Sequence, residues 1–351
     1  MNNLVWFRND LRVQDNNSLF EASKNTNNVI GVYCLDPRQF EINKHGFKKT
    51  EKFRAKFLLE TLRDLKNNLA NLNIPFYIFH DIPENVIPQL VDEHAITSIF
   101  LQKEWTPDEV LISTNVKAKI NLSEINWIET YDQFLFHPSD IPYTSFDKIP
   151  EIFTEFRKKC EKESKIRPCV SVASMPKENF FETSMIIPSL EDLGLESFKL
   201  HKNSAFPFRG GETNALKRIE NYFFETENLS VYKKTRNGLI GESYSSKLSA
   251  WLANGSISAR TIYWQVQNYE REICKNEDTY WLIFELIWRD YFKYISLKHE
   301  DKIFKLNGIL GKEYDWKVSD KAFRQWTNGN TYEPFVNANM IELQKTGFMS
   351  N

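Results

Sequence analysis

The amino-acid sequence predicts an N-terminal α/β domain with a doubly wound parallel sheet, followed by an all-helical C-terminal domain. Its 351 residues are more than one hydrophobic core usually supports. Over residues 1–131, short β-rich runs alternate with helical patterns, which is typical of parallel strands joined by right-handed crossovers. From Glu212 onward nearly every segment has helical periodicity instead. We therefore place a connector at 132–210 and the helical domain at 211–351.

The strands of the first domain are predicted as continuous apolar runs, as expected where helices cover both faces of a sheet. They are Leu4–Phe7, Val29–Leu35, Phe76–Phe79, Ser98–Leu101 and Trp127–Tyr131. The clearest helix between them carries an apolar stripe from Phe53 to Leu69. No GxGxxG or GxxxxGK[ST] loop occurs, so an ordinary dinucleotide or P-loop site is not expected in this domain.

The connector is marked by seven prolines between Pro138 and Pro207, with one short helix expected around Ile152–Lys162. A connection of this length is normally functional or well packed. In the last domain the helices are predicted at Thr213–Glu225, Lys247–Ala253, Ala259–Ile273, Thr279–His299, Asp320–Thr327 and Val336–Lys345.

Composition excludes several classes of protein. The formal net charge is −2, so nucleic-acid binding would need a local cationic patch. The four cysteines form no CxxC pair and no histidine completes a zinc site, which predicts reduced thiols and a cytoplasmic protein. Charges interrupt the first 20 residues, and no run of about 18 apolar residues exists, so neither a signal peptide nor a membrane span is expected.

A serine-rich segment before one helix is the first candidate site. Ser245, Ser246 and Ser249 offer hydroxyl groups and Lys247 a positive charge where the helix begins. Hydroxyls, backbone amides and a helix N-terminus together suit a pyrophosphate. The alternative is that Ser245 or Ser246 merely caps the helix.

The second candidate is one face of the helix Thr279–His299, where Glu285, Trp288, Arg289 and Phe292 fall at spacings of three and four. Burying charged groups in so apolar a helix costs free energy unless they are paired or bind a ligand. An indole that lines a cavity can stack on a flat ring. The alternative is an Arg–Glu ion pair beside a packing tryptophan. Asn337 is likewise a plausible cap for the last helix, which should stop at Gly347.

Five stretches, in fixed order along almost the whole chain, resemble the photolyase/cryptochrome family. They are L-V-W-F-R-N-D-L-R-V-Q-D-N-N-S-L, Y-x-x-T-R-N-G followed by S-S-K-L-S, A-N-G-S-I-S-A-R, F-E-L-I-W-R-D-Y-F and P-F-V-N-A-N-M-I-E-L-Q-K-T-G-F-M-S-N. The fourth stretch and F-T-E-F-R-K-K-C-E-K in the connector look like the DASH branch in particular.

The resemblance implies an α/β domain followed by a helical domain that holds FAD in a U shape. It assigns the following residues to FAD contacts: Tyr232, Ser245, Ser246, Lys247, Leu248, Ser249, Glu285 and Arg289. It assigns damaged-DNA contacts to Arg236, Glu285, Trp288 and Asn351. A folate antenna, 5,10-methenyltetrahydrofolate, would contact Glu104. Trp316 resembles the outer member of the family's tryptophan electron relay, and Glu285, Trp288 and Trp316 are the residues expected to take part in catalysis.

Two departures from the family pattern are visible. Ala250 and Ala259 replace prolines that are usual in these motifs. Family members also continue past the asparagine that matches Asn351, with a segment that carries the D-x-D beside the flavin, the group facing flavin N5, and the two inner relay tryptophans. We therefore expect this sequence to be incomplete and to hold FAD less tightly than a complete one.

The function implied by the resemblance is light-driven repair of cyclobutane pyrimidine dimers, preferentially in single-stranded DNA, by a monomeric FAD protein. One alternative is a blue-light photoreceptor that uses the same flavin without repair. The other is a two-domain structural or binding protein without a cofactor.

Overall fold

A five-stranded parallel sheet forms the centre of the N-terminal domain in the computed structural model, which describes residues 2–24, 28–44, 46–183 and 185–349. The strands are β1 (Asn2–Trp6), β2 (Asn28–Cys34), β3 (Phe76–Phe79), β4 (Ile96–Gln102) and β5 (Asn126–Thr130). Their order is β3-β2-β1-β4-β5, with Leu4 aligned between Ile30 and Ile99. The predicted strands are confirmed, with ends shifted by one or two residues.

Helices cover both faces of this sheet, which explains its continuous apolar runs. They are α1 (Asn17–Ser23), α2 (Lys52–Asn71), α3 (Pro83–Glu93) and α4 (Pro107–Lys119). Leu62 and Leu65 of α2 belong to the buried cluster on one face, and Ile87 and Leu90 of α3 to the cluster on the other. The doubly wound α/β fold is confirmed.

The segment after β5 is tied to both halves of the protein. Its helix α5 (Phe153–Glu163) buries Phe153 and Phe156 in the core of the helical part. Farther along, the Asn179 side chain bonds the amide and carbonyl of Val29 at 3.0 Å each, and the Thr183 hydroxyl donates to the Phe76 carbonyl at 2.8 Å. The long connection is therefore held against the sheet by side chains that satisfy strand backbone.

The remaining helices confirm a helical C-terminal part. They are α6 (Glu212–Ile219), α7 (Tyr232–Thr235), α8 (Ser249–Asn254), α9 (Ala259–Glu272), α10 (Glu277–His299), α11 (Asp320–Thr327) and α12 (Pro334–Thr346). The helix predicted at Thr213–Glu225 changes to a π-helical turn at Glu220. The helix predicted from Lys247 begins only at Ser249, because Lys247 has a left-handed backbone with φ of 62°.

The two parts meet at a close backbone contact. Gly255 ends α8 with φ of 72°, and a Cβ there would lie 2.0 Å from the Asn9 carbonyl oxygen. The Leu11 amide donates to the Asn254 carbonyl at 3.3 Å, and Arg12 Nη1 donates to the Gly255 carbonyl at 3.0 Å. The loop after β1 therefore rests directly on the end of α8. No helix in the described part of the chain combines the length and the apolar character that crossing a membrane requires.

Candidate functional site

The loop between α7 and α8, residues 236–248, is called the serine loop below. Near its end, the backbone carbonyls and the backbone amides differ in whether they have hydrogen-bond partners. Ser246, Lys247 and Leu248 are buried, and Ser245 is half-buried. The backbone amides of 245–248 donate to no acceptor in the part of the chain that the structure describes. Leu248 occupies the N-cap of α8 without a side-chain cap, so the alternative in which Ser245 or Ser246 caps this helix is wrong. The loop therefore does not cap α8, and the backbone amides of 245–248 remain available as hydrogen-bond donors.

Lys247 is a buried cation whose ammonium has no hydrogen-bond partner among the residues that the structure describes. Its side chain is 4% exposed, and Nζ makes no hydrogen bond within the described residues. The ammonium lies 3.4 Å from the centre of the Tyr244 ring and 4.5 Å from that of Phe348. Burial lowers the pKa of Lys247 to about 8, while the more distant Glu342 carboxylate raises it. Because an uncompensated buried charge is costly, this position suits an anionic ligand.

Helix α10 brings Glu285 next to Arg236, and this pair was not foreseen. The two side chains form an ion pair of 2.9 Å, with 22% of Arg236 and 29% of Glu285 exposed. The Arg236 guanidinium also lies 5.8 Å from the Trp281 ring centre. Two residues that the resemblance assigns separately to DNA contacts are thus in direct contact.

Trp288, one turn farther along α10, is held by ring stacking. Its ring centre lies 3.5 Å from that of Phe153 at an angle of 12°, and 5.3 Å from that of Phe292. Phe292 is largely exposed, whereas Phe153 is buried. The connector therefore fixes the orientation of the indole through α5.

Arg289 does not pair with Glu285, so the alternative of an Arg289–Glu285 ion pair is wrong. Arg289 Nη1 donates to the Gln133 carbonyl at 2.5 Å, and Nη2 to the Leu252 carbonyl at 3.3 Å. Burial lowers the pKa of Arg289, and the Asp290 carboxylate, 3.9 Å away, opposes this. The guanidinium joins α10 to α8 and to the connector.

Tyr232 lies between the loop and the α10 face. Its side chain is buried, and burial raises its pKa strongly; the Glu285 charge adds to this, whereas Arg236 and the Ser246 hydroxyl lower it. One hydroxyl thus senses both the serine loop and the Glu285–Arg236 pair. The serine loop and the Glu285–Arg236 pair therefore both act on Tyr232.

Glu104 belongs to a separate polar group at the junction of the two parts. Its carboxylate accepts hydrogen bonds from Asn9 Nδ2 at 3.1 Å and Gln102 Nε2 at 2.8 Å. Lys293 Nζ lies 5.3 Å from the ring centre of the adjacent Trp105, and burial lowers the pKa of Lys293 to about 8. The site offers a carboxylate, an amide and a flat ring close together.

Three predicted residues are not part of these groups. Trp316 is 63% exposed and contacts Tyr314, with ring centres 5.7 Å apart. Asn351 lies outside the described residues. Asn337 is not a helix cap, because α12 begins at Pro334; its side chain instead bonds the amide, hydroxyl and carbonyl of Thr331. Gly347 does end α12, as expected, with φ of 70°.

A cavity of about 670 Å³ opens beyond the carboxyl ends of β1 and β2. Trp6, Arg8, Tyr33, Arg54 and Phe208 are among the residues that line it. This is the edge at which parallel sheets normally bind ligands. No motif in the sequence predicts this cavity.

Arg218 of α6 is a buried residue next to the serine loop that sequence reasoning missed. It lies on the face of α6 that also buries Ala215 and Ile219. An arginine at a position where helical periodicity calls for an apolar side chain was the available signal.

Family models match both halves of the chain. One described as DNA photolyase matches residues 3–177, and one described as FAD binding domain of DNA photolyase matches residues 281–351. The loop amides and the unpaired Lys247 are independent features of this structure that fit the diphosphate of such a cofactor.

Relatives match along nearly the full chain. Cryptochrome DASH of Gloeobacter violaceus is 44% identical over 349 residues, covering 99% of this chain and 69% of that protein. Cryptochrome DASH of Xenopus laevis is 40% identical, covering 98% of this chain and 66% of that protein. The crystal structure of a Synechocystis cryptochrome superimposes with a TM-score of 0.92 at 38% identity, covering 100% of this chain and 72% of the other. The chain therefore belongs to the DNA photolyase/cryptochrome family, on its cryptochrome DASH branch.

Proposed function

We propose that this protein uses blue light and bound FAD to repair cyclobutane pyrimidine dimers, preferentially in single-stranded DNA. The observation that carries the proposal is that the Ser246 hydroxyl of the serine loop and the Glu285–Arg236 pair both act on the buried hydroxyl of Tyr232, while Trp288 shares the α10 helix with Glu285. The part of the serine loop that suits an anion and the α10 face with its carboxylate and indole are therefore both near one buried tyrosine. That arrangement suits a cofactor diphosphate on one side and a flat substrate on the other.

The chain's own residues would bind and orient the cofactor. The amides of 245–248 and the Lys247 ammonium would hold the diphosphate, and Tyr232 would lie beside the bound molecule. Glu285 and Arg289 would form the wall beside the flavin ring, with Arg289 fixed through the carbonyls of Gln133 and Leu252. When bound and reduced, FAD supplies the light-excited electron that opens the cyclobutane ring, and the electron returns at the end.

The substrate contacts fall to the exposed side of the same wall. Trp288 would stack on the dimer and Glu285 would accept a hydrogen bond from its polar edge, while Arg236 meets the neighbouring phosphate. Because Glu285 is already paired with Arg236, the carboxylate is oriented before the substrate arrives. A dimer in single-stranded DNA avoids most of the cost of leaving a duplex.

Repair can be tested directly with the reduced, FAD-loaded chain and a single-stranded oligonucleotide that contains one thymine dimer. We expect blue light to restore the two thymines in the wild type, as measured by chromatography. Trp288→Ala should keep the flavin absorbance and lose dimer binding. Trp326→Ala, which removes a 47%-exposed ring on α11, is the matched control and should repair normally. Unchanged repair by Trp288→Ala would exclude the stacking role.

A blue-light photoreceptor without repair is the second candidate, and the Phe153–Trp288 stack favours it. A ring centre 3.5 Å away covers one face of the indole, as expected for a tryptophan that packs instead of binding a base. A wild-type chain that binds FAD and responds to blue light but restores no dimers would support the photoreceptor over repair.

We also propose that a folate antenna binds beside Glu104. The support is the grouping of Glu104, Asn9, Gln102 and the Trp105 ring at the junction of the two parts. Binding of 5,10-methenyltetrahydrofolate should be lost in Glu104→Ala and kept in Glu109→Ala, as followed by folate absorbance. Equal binding by both variants would exclude this seat.

A cytoplasmic, monomeric state completes the proposal. The cytoplasmic location is supported by Cys34 and Cys160, which are buried free thiols, as suits a compartment that keeps thiols reduced. Light scattering coupled to gel filtration should give one protomer per particle, and a doubled mass would contradict it.

A further inference from the structure

Arg218 of α6 is bonded to the backbone carbonyls of the serine loop. Its Nε donates to the Ser246 carbonyl at 3.0 Å, and its Nη2 donates to the carbonyls of Glu242 at 2.9 Å and Ser245 at 3.1 Å. One planar guanidinium therefore gathers three carbonyls from a stretch of five residues. Only arginine offers several donors in one fixed plane, so this geometry is specific to its side chain.

The guanidinium is itself held rigidly. It is 5% exposed and lies 4.6 Å from the ring centre of Phe208 and 4.8 Å from that of Tyr222. Its remaining side-chain acceptor is Asn221 Oδ1 at 3.2 Å. The guanidinium has little conformational freedom, because it stacks on two rings and donates hydrogen bonds from all three of its nitrogens. The loop carbonyls are therefore bonded to a rigid group.

No carboxylate within the described residues forms an ion pair with Arg218 or with the buried Lys247 of the loop. Burial lowers the pKa of both groups, and the charges of Glu242 on Arg218 and of Glu342 on Lys247 oppose this from beyond ion-pair distance. Two buried cations close enough to act on one another oppose the folding of this loop unless an anion compensates them. Lys247, which is 4% exposed and has no hydrogen-bond partner for its ammonium in the described part of the chain, is the independent sign that the loop binds an anionic ligand.

The carbonyls and amides of the loop are used differently. Arg218 takes up the carbonyls of Glu242, Ser245 and Ser246, whereas the amides of 245–248 donate to no described residue. A chain whose carbonyls are fixed on one side has its amides directed elsewhere, because consecutive peptide groups are planar. Such unused amides are what an anion binds.

We infer that Arg218 is a positioning residue for the diphosphate of the cofactor: it contacts loop carbonyls, not the ligand, and so orders the amides of 245–248 before binding. This inference rests on the proposed FAD function. Arg218, which lies outside the loop, is thereby assigned the role of setting the conformation of the diphosphate-binding amides. The general reason is that a preordered loop saves the ordering free energy that binding would otherwise cost.

The test compares Arg218→Met, Arg218→Lys and Tyr222→Phe in this chain. Methionine keeps the length and removes all donors; lysine keeps the charge but not the planar set of donors; phenylalanine keeps the ring under the guanidinium. Two readouts are needed: amide hydrogen exchange of peptides covering 242–249 in the FAD-free chain, and the FAD dissociation constant from quenching of flavin fluorescence.

We expect exchange in 242–249 to rise at least tenfold in Arg218→Met, and FAD to bind at least tenfold more weakly. Arg218→Lys should show the same defects, because geometry and not charge is at issue, and Tyr222→Phe should resemble the wild type. Wild-type exchange or wild-type FAD affinity in Arg218→Lys would overturn the inference. If Arg218→Met does not fold, the lysine variant decides.

The two proposals fail in distinguishable ways. A wild-type chain that binds no FAD would overturn the proposed function, and with it the assignment to a diphosphate. A wild type that binds FAD, together with Arg218 variants that bind equally well, would overturn the Arg218 inference alone.

Discussion

Arg260 Nη2 and Asp15 Oδ1 lie 2.8 Å apart across the junction between the sheet domain and α9, and both side chains are at most 2% exposed. Asp132 accepts from the same Arg260 nitrogen at 2.7 Å and from Arg12 at 2.9 Å. Two cations and two anions thus form one closed, buried group. Because the two positive and two negative side chains compensate one another, the group can be buried away from solvent.

Removing one member of this group should be costly. We expect Arg260→Met to lower the free energy of unfolding by about 3–5 kcal/mol, because Asp15 would lose its ion pair with Arg260 and Asp132 would lose one of its two arginine partners in a buried site. Urea unfolding followed by circular dichroism measures this. Arg271→Ala, which breaks an exposed pair with Glu272 on the same helix, should cost less than about 1 kcal/mol. Equal losses in the two variants would contradict the buried-network account.

Gly255→Ala should disrupt the junction by a steric route. The new Cβ would lie 2.0 Å from the Asn9 carbonyl oxygen, in addition to the cost of a left-handed backbone. We expect a loss of about 2 kcal/mol or more in thermal or urea unfolding. Gly241→Ala is the control, because Gly241 also has positive φ but no neighbour within 4 Å. If both variants lose the same stability, the backbone contact with Asn9 is not restrictive.

Glu212 should make stability depend on pH. Burial raises its pKa from 4.5 to about 7, although the Val13 and Gln14 amides donate hydrogen bonds that lower it. The folded state therefore keeps a proton that the unfolded state has released. The stability due to this group is fully present below pH 4.5 and is lost as the pH rises through 7, a change of about 3 kcal/mol.

Glu212→Gln removes this component, so the wild type and the variant should show different slopes of unfolding free energy between pH 5 and 7.5. Urea titrations at several pH values measure the slopes. Glu220→Gln, at an exposed position one residue after α6, should reproduce the wild-type slope. A slope unchanged in Glu212→Gln would assign the proton to another group.

Lys247 should make FAD affinity fall above pH 8. Burial lowers its pKa to about 8, so the ammonium loses its charge as the pH rises through that value and no longer attracts a diphosphate. We expect the dissociation constant for FAD to increase between pH 7 and 9 in the wild type and to stay nearly constant in Lys247→Met. Parallel curves for the two proteins would show that Lys247 does not face the cofactor.

The elements of the fold were visible in the sequence because each depends on local periodicity. The runs Val29–Leu35 and Phe76–Phe79 are apolar on both faces, and the stripe from Phe53 to Leu69 repeats at helical spacing; each became the element it predicts. The error at Lys247 arose from the same rule, because periodicity contains no information about a left-handed residue.

The candidate site was predictable in its parts but not in its contacts. Glu285, Trp288 and Arg289 share a face of α10 as their spacing requires, yet their partners come from elsewhere: Arg236, Phe153 and the Gln133 carbonyl. The partners are 49, 135 and 156 residues away along the chain. No local pattern reports contacts over such separations.

The sequence by itself determined the periodic elements, the parallel sheet with a helical second part, and the set of polar residues available for chemistry. Tertiary structure alone decided which charges meet. It paired Glu285 with Arg236 instead of Arg289, enclosed Arg260 with Asp15 and Asp132, and set Arg218 against the carbonyls of the serine loop. The physical reason is that periodicity depends on neighbouring residues, whereas the free energy of a buried charge depends on every group that folding brings within a few ångströms of it.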